Sequence, residues 1–198
     1  MKLKENFKIQ LSENINIHMK LIDIFDDVDR AIKVIFNSLK KGGKILFCGN
    51  GGSAADAQHL AAEFLVRLRP KINRSPIPAL TLAQDTSTIT ACGNDYSYED
   101  IFLRTFQALA NKNDILFCIS TSGNSKNILK VLKEAKKRKI YSVGLLGADG
   151  GSAKKLCDSK LVVNSTNTAR IQECHIFLGH FILEKVEDHI ILKNKKLG

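Results

Sequence analysis

No stretch of this chain approaches the roughly 20 consecutive apolar residues that a membrane-spanning helix needs. Among the longer apolar stretches, Ile176 to Leu183 is broken by His180 and flanked by charge. The first residues, MKLKENFKIQ, carry lysines with no apolar run behind them. No secretory signal is expected, and the expected location is the cytoplasm. No CxxC pair occurs. Cys48, Cys92, Cys118, Cys157 and Cys174 form an odd, scattered set, which reads as reduced core thiols rather than a disulfide frame or zinc finger. All three prolines fall between Pro70 and Pro78, which marks a loop, and no linker or low-complexity segment divides the chain. Aromatic residues do not interleave the lysines. The net charge of +10 is spread over Lys40, Lys41 and Lys44, then Lys130 to Lys139, then Lys193 to Lys196. Without a stacking platform this reads as a solvated surface that draws in small anions. Nucleic acid and membrane are not expected as partners.

What is present is an ordinary globular composition, 198 residues with 44% hydrophobic and 25% charged. That length fits one domain with a substantial core. We assign residues 1–198 to it, with 1–40 as an N-terminal helical extension and 41–198 as an α/β core ending in a long helix. The first forty residues place Leu21, Ile24, Phe25, Val28, Ile32, Val34 and Ile35 at helical spacing. Apolar strands are then expected at 44–48, 79–83, 114–119, 141–146 and 161–163. Helices are expected at 54–69, 98–110, from 126 to about 139, and 168–192, with a polar region between 84 and 97. Strands alternating with helices predict a parallel sheet covered on both faces.

Two loops that follow strands have a composition suited to phosphate. Asn50-Gly51-Gly52-Ser53 offers backbone N–H groups at the start of a helix. Ser120-Thr121-Ser122-Gly123-Asn124-Ser125 offers four hydroxyls and a second helix start. A helix cap needs one such side chain; five in a six-residue loop point to a ligand. Gly49 to Ala54 also matches the dinucleotide fingerprint G-x-G-x-x-A. However, the acid that binds ribose should follow after about 20 residues at the end of the next strand, and the nearest such acid is Asp85. Neither loop ends in Gly-Lys-Ser/Thr, which excludes a nucleoside-triphosphate P-loop.

His59 and Glu63 are four residues apart, about 40° around a helix, and Arg67 continues that stripe. Such a pair can ligate a metal or move protons, or it can be an idle histidine beside a Glu63–Arg67 ion pair. Residues 174–183 are apolar nearly all round, so that helix should be buried, with subunit contact one reason. His180 in its middle needs a partner.

These residues in order, together with Gly93-Asn94-Asp95 and Ala169-Arg170-Ile171-Gln172-Glu173, resemble the sugar isomerase (SIS) family and, within it, its phosphoheptose isomerase branch. The likeness runs from about residue 10 to 190. It implies a three-layer SIS-type fold with a five-stranded parallel sheet, assembled as a homotetramer. It implies a ketose–aldose isomerase converting sedoheptulose 7-phosphate to D-glycero-D-manno-heptose 7-phosphate through an enediol, supplying heptose for lipopolysaccharide or capsule. The positions matching substrate binding are Asn50, Gly51, Gly52, Ser53, Glu63, Asn94, Asp95, Ser120, Thr121, Ser122, Ser125 and Gln172. The resemblance implies one zinc ion per subunit on His59, Glu63, Gln172 and His180, with Glu63 and His180 handling protons. Helical geometry brings Glu173 closer to the angle of His180 than Gln172, but the resemblance favours Gln172 and leaves Glu173 to pair with Arg170. Ala169 stands where some of these isomerases carry Asp. A non-catalytic branch of the same fold binds a replication initiator and lacks the equivalents of Glu63 and His180. Both are present here, which favours the enzyme.

Overall fold

The computed structural model describes residues 2–195, and side chains through Leu192. The side chains of the Lys193 to Lys196 cluster therefore lie outside the described residues. Strands β1 (Ile45–Gly49), β2 (Ala79–Thr81), β3 (Ile115–Ser120), β4 (Tyr141–Gly147) and β5 (Ser159–Val163) form one sheet in the order β2-β1-β3-β4-β5. Every pairing is parallel. Side chains alternate across it. Ile45, Phe47, Ile115, Phe117, Val143 and Leu145 face α2 (Phe25–Lys40), α3 (Gly52–Leu65) and α7 (Thr168–Lys195). Leu46, Cys48, Leu116, Cys118 and Leu146 face α4 (Thr86–Asp95), α5 (Ile101–Leu109) and α6 (Lys126–Lys137). Both faces being covered is why the strands read as unbroken apolar runs.

All five cysteines are free and buried. Cys48 and Cys118 are partners in register, with sulfurs 3.3 Å apart. Burial pushes the Cys157 thiol up to about 12 and Cys174 up to about 11, which keeps both uncharged and inert. No helix among the described residues is long and apolar enough to cross a membrane.

Among the boundaries that differ from the sequence reading, four are the most informative, three of them with a visible physical reason. The first forty residues are two helices, α1 (Leu3–Met19) and α2, joined by a 3-10 turn at Lys20–Ile24. The polar region holds α4, started by Asp85, whose carboxylate accepts from the Thr88 backbone N–H at 2.7 Å. Thr and Ser are poor helix formers, and the cap, the buried Cys92 and the partly buried Ile89 hold this helix in place. β2 stops at Thr81, just before Ala83 enters the left-handed region at φ +50°. α3 ends at Leu65 rather than near Arg69, because Arg74 folds back and donates to the carbonyls of Glu63 (2.8 Å) and Phe64 (3.0 Å). Those are two of the carbonyls a helix end leaves open.

Candidate active site

The chain leaves β1 to form β2 on one side, then returns to form β3 on the other side of β1. The crevice between the carboxyl ends of β1 and β3 is thus the switch point at which open parallel sheets bind ligands. Gly49 pairs with Ile119, so Asn50 and Ser120 begin neighbouring loops. The first loop leads into α3 on one face of the sheet, and the second into α6 on the other.

Gly51 has φ +57°, which disfavours any side chain there. A methyl group on Gly52 would lie 2.2 Å from the Gln172 amide nitrogen, so a side chain here would displace the Gln172 amide from its place over the loop. In the second loop Ser120 is buried; its Oγ accepts from Gly123 N–H at 3.1 Å and lies 3.4 Å from Ser125 Oγ. Ser122 Oγ accepts from Asn124 N–H at 3.1 Å. Both hydroxyls brace the turn as acceptors, which leaves their protons to donate. Ser125 precedes α6 yet makes no side-chain cap bond, and Gly51 at the start of α3 has no side chain to cap with. Capping therefore does not account for these loops. Thr121 is half-buried beside them. Asn94 and Asp95 are exposed at the end of α4, bonded to each other at 2.8 Å. The nearby Tyr98 hydroxyl, 3.0 Å from Asn50 Oδ1, ties this segment to the first loop.

Farther along α3, His59 Nε2 meets His180 Nε2 of α7 at 2.8 Å, with the rings edge-on at 73°. At that distance the two nitrogens share one proton, one ring donating and the other accepting. Glu63 Oε1 lies 3.9 Å from the other ring nitrogen of His59. His180 is half-buried, and burial lowers its pKa, with the charge of His59 adding to the effect and Glu63 opposing it. The helix stops before Arg67, which is exposed and takes no part in the stripe. Among the described ion pairs Glu63 pairs with His59, so the idle Glu63–Arg67 arrangement is not formed. The long apolar stretch of α7 is mostly buried, but Phe177 is 48% exposed.

The implied zinc ligands are only partly assembled. Zinc at about 2.0–2.1 Å from each imidazole in a tetrahedral site would hold the two nitrogens roughly 3.3 Å apart, so these rings fit after opening by about half an ångström. Glu63 and Gln172 do not close on the same point. Gln172 lies over Gly52, seven residues and about two turns before His59 on α3. Among the described residues no three His, Cys, Asp or Glu side chains stand close enough together to hold an ion. As placed, the four side chains do not fit one ion. Glu173, the rival to Gln172, pairs with Arg170 at 2.6 Å and also accepts from Asn14.

Sequence reasoning missed two groups. Asp56 lies on the same stripe as Gly52, His59 and Glu63 and keeps a buried, unpartnered carboxylate oxygen. Burial raises its pKa, and the charge of His59 opposes the rise. The spacing 52, 56, 59, 63 was the available signal. Asn127, 3% exposed, bonds to Asn50 across the crevice. Its sequence neighbours give no sign of that contact.

A switch-point crevice with two donor-rich loops at helix starts, and histidine and carboxylate farther along the crossover helix, is the arrangement of an α/β protein suited to a phosphorylated ligand. Residues 17–147 match the family described as SIS domain. A phosphoheptose isomerase of Campylobacter concisus is 46% identical over 94% of this chain and 97% of that protein. The solved structure of the Neisseria gonorrhoeae phosphoheptose isomerase superposes with a TM-score of 0.87 at 37% identity, covering 94% of this chain and all of that one. That of a Francisella tularensis phosphoheptose isomerase gives 0.89 at 33% identity, covering 95% and all. The chain belongs to the phosphoheptose isomerase family of SIS-domain proteins.

Proposed function

We propose that this protein interconverts sedoheptulose 7-phosphate and D-glycero-D-manno-heptose 7-phosphate. The observation that carries the reading is the meeting of Glu63, His59 and His180 beside the phosphate loops. The Asn50–Ser53 and Ser120–Ser125 loops hold the phosphate, whose binding energy orients the distant carbonyl end. Glu63 takes the C1 proton of the ketose, the C1–H electrons form the C1–C2 double bond, and the C2 carbonyl oxygen gains a proton from the histidine pair. The enediol then loses its O1 proton to the pair while the protonated Glu63 gives its proton to C2, which leaves the aldose and restores the carboxylate. One proton leaves carbon and one returns, so no oxidant is consumed.

One zinc ion per subunit is proposed, with His59 and His180 as ligands, and no step above passes through it. A homotetramer is proposed because α1 leaves Leu3, Phe7, Leu11 and Ile15 exposed and α7 leaves Phe177 exposed. A cytoplasmic location and a supply of heptose to lipopolysaccharide or capsule complete the reading.

The test follows purified protein and sedoheptulose 7-phosphate by NMR. Glu63→Gln keeps the shape, and turnover should fall by on the order of 10²–10⁴-fold while the sugar phosphate still binds. Near-normal turnover by Glu63→Gln would remove the carboxylate from the mechanism. A scaffold that binds a replication initiator has no use for this geometry, and no comparison supports that alternative.

A further inference from the structure

Asn50 stands where the two phosphate loops meet, and its side chain is held from two directions. Its Nδ2 donates to Asn127 Oδ1 at 2.9 Å, and Asn127 Nδ2 donates back to Asn50 Oδ1 at 2.8 Å. Tyr98 donates its hydroxyl proton to the same Asn50 Oδ1 at 3.0 Å. The polarity of this ring of bonds is fixed by a group that cannot reverse. The Ile128 backbone N–H lies 2.9 Å from Asn127 Oδ1 and can only donate, so that atom must be the oxygen. Asn127 Nδ2 then faces Asn50 Oδ1, and Asn50 Nδ2 faces back.

Counting donors and acceptors shows what Asn50 has left. Two donors fill both lone pairs of its oxygen. One of its two amide hydrogens is used by Asn127, and the second has no partner among the described residues. The amide therefore presents a donor, and no acceptor, at the mouth between the loops. An anion or an ester oxygen of a phosphate accepts from such a group.

We propose that Asn127 and Tyr98 are positioning residues, which lock the Asn50 amide so that its free N–H meets an oxygen of the bound sugar phosphate. The ligand class rests on the isomerase reading above; the locking rests on the bonds just described. Asn127 lies at the start of α6 and Asn50 at the end of β1, so the pair also sets the spacing of the two loops. Tyr98 is 57% exposed, so removing its hydroxyl disturbs little else. Without Tyr98 the oxygen of Asn50 regains a lone pair, and the amide is held from the Asn127 side alone, free to tilt its N–H away from the ligand.

The test is a double-mutant cycle read as the Kd of sedoheptulose 7-phosphate by calorimetry, with turnover measured alongside. Tyr98→Phe and Asn127→Leu should each weaken binding roughly 2- to 10-fold. Asn127→Asp should weaken it more, because one carboxylate oxygen then faces Asn50 Oδ1 and its charge opposes the phosphate. In an Asn50→Ala background the effects of Tyr98→Phe and Asn127→Leu should shrink to about 1.5-fold or less, because positioning residues act only through Asn50. A general loss of packing would persist in that background. Equal effects in both backgrounds, or no effect of Tyr98→Phe in the wild type, overturn the proposal. Should Asn127→Leu fail to fold, Tyr98→Phe decides alone. Wild-type protein that binds the sugar phosphate without converting it refutes the isomerase reading, and the cycle still decides the locking. Wild-type protein that does not bind it refutes both.

Discussion

His175 lies on α7 with no exposed surface, packed near the Leu146 backbone at the end of β4. Neither ring nitrogen reaches a hydrogen-bond partner at acceptable geometry. Burial disfavours the charged ring and pushes its pKa down to about 4 from an ordinary 6.5, with only a small opposing effect from Leu146. The unfolded chain therefore takes up a proton near pH 6.5, whereas the folded chain resists until about pH 4. Stability from this residue is complete above pH 6.5 and is lost as pH falls through that window. The full gap amounts to about 3 kcal/mol, of which about 2 kcal/mol is lost by pH 5. His175→Leu should abolish that loss, and it also removes two unpaired buried nitrogens, each costing on the order of 1–3 kcal/mol. Urea unfolding of both proteins at one fixed concentration, at pH 7, 6 and 5, measures the difference. The variant should gain on the wild type by about 2 kcal/mol between pH 7 and 5. Parallel acid dependence of the two proteins would show that the folded state lets His175 charge.

Ser125 caps nothing, so Ser125→Ala should weaken sedoheptulose 7-phosphate by roughly 0.5–3 kcal/mol and leave binding of unphosphorylated sedoheptulose unchanged; equal losses for both sugars would move the phosphate elsewhere. If zinc binds, mass spectrometry of the native protein should find about one ion per subunit, lost in His59→Ala and in His180→Ala; retention in both variants would place the metal at another site. Arg74 and Glu187 form a wholly buried pair, with Arg69 also on Glu187, so Arg74→Met should destabilise by about 3 kcal/mol in urea unfolding. A loss below about 1 kcal/mol would mean that Arg69 alone satisfies the carboxylate.

The sheet was legible because its strands are buried on both sides, and an apolar run between turn residues says as much. Ile45–Gly49 and Ile115–Ser120 were placed to within a residue for that reason. α4 was not legible, since its sequence TSTITACGND has little helical propensity and depends on one cap and one buried face. The end of α3 depends on Arg74, ten residues beyond its last bonded carbonyl, which no local pattern reveals. The two phosphate loops showed in composition because a phosphate wants many donors in a short segment. Asn127 and Asp56 stayed hidden for the opposite reason. Each is one ordinary polar residue, and its role comes from what the fold places opposite it.

Binding and chemistry are carried by different parts of this molecule. The phosphate end proposed above consists of backbone donors, Ser120, Ser122 and Ser125, and an amide network across the crevice, set where β1 and β3 end. The proton-handling end proposed above is Glu63, His59 and His180, farther along α3 and α7. A helix rises about 1.5 Å per residue, so Glu63 stands roughly 16 Å along α3 from Gly52. Substitutions at one end can therefore spare the other. On the proposed reading, a chain that kept the loops and lost the carboxylate and histidine would still hold a sugar phosphate and convert nothing. On the same proposed reading, what makes this chain an enzyme is the seam between α3 and α7, where two imidazoles share a proton beside a carboxylate, and not the glycine and serine loops that first draw the eye.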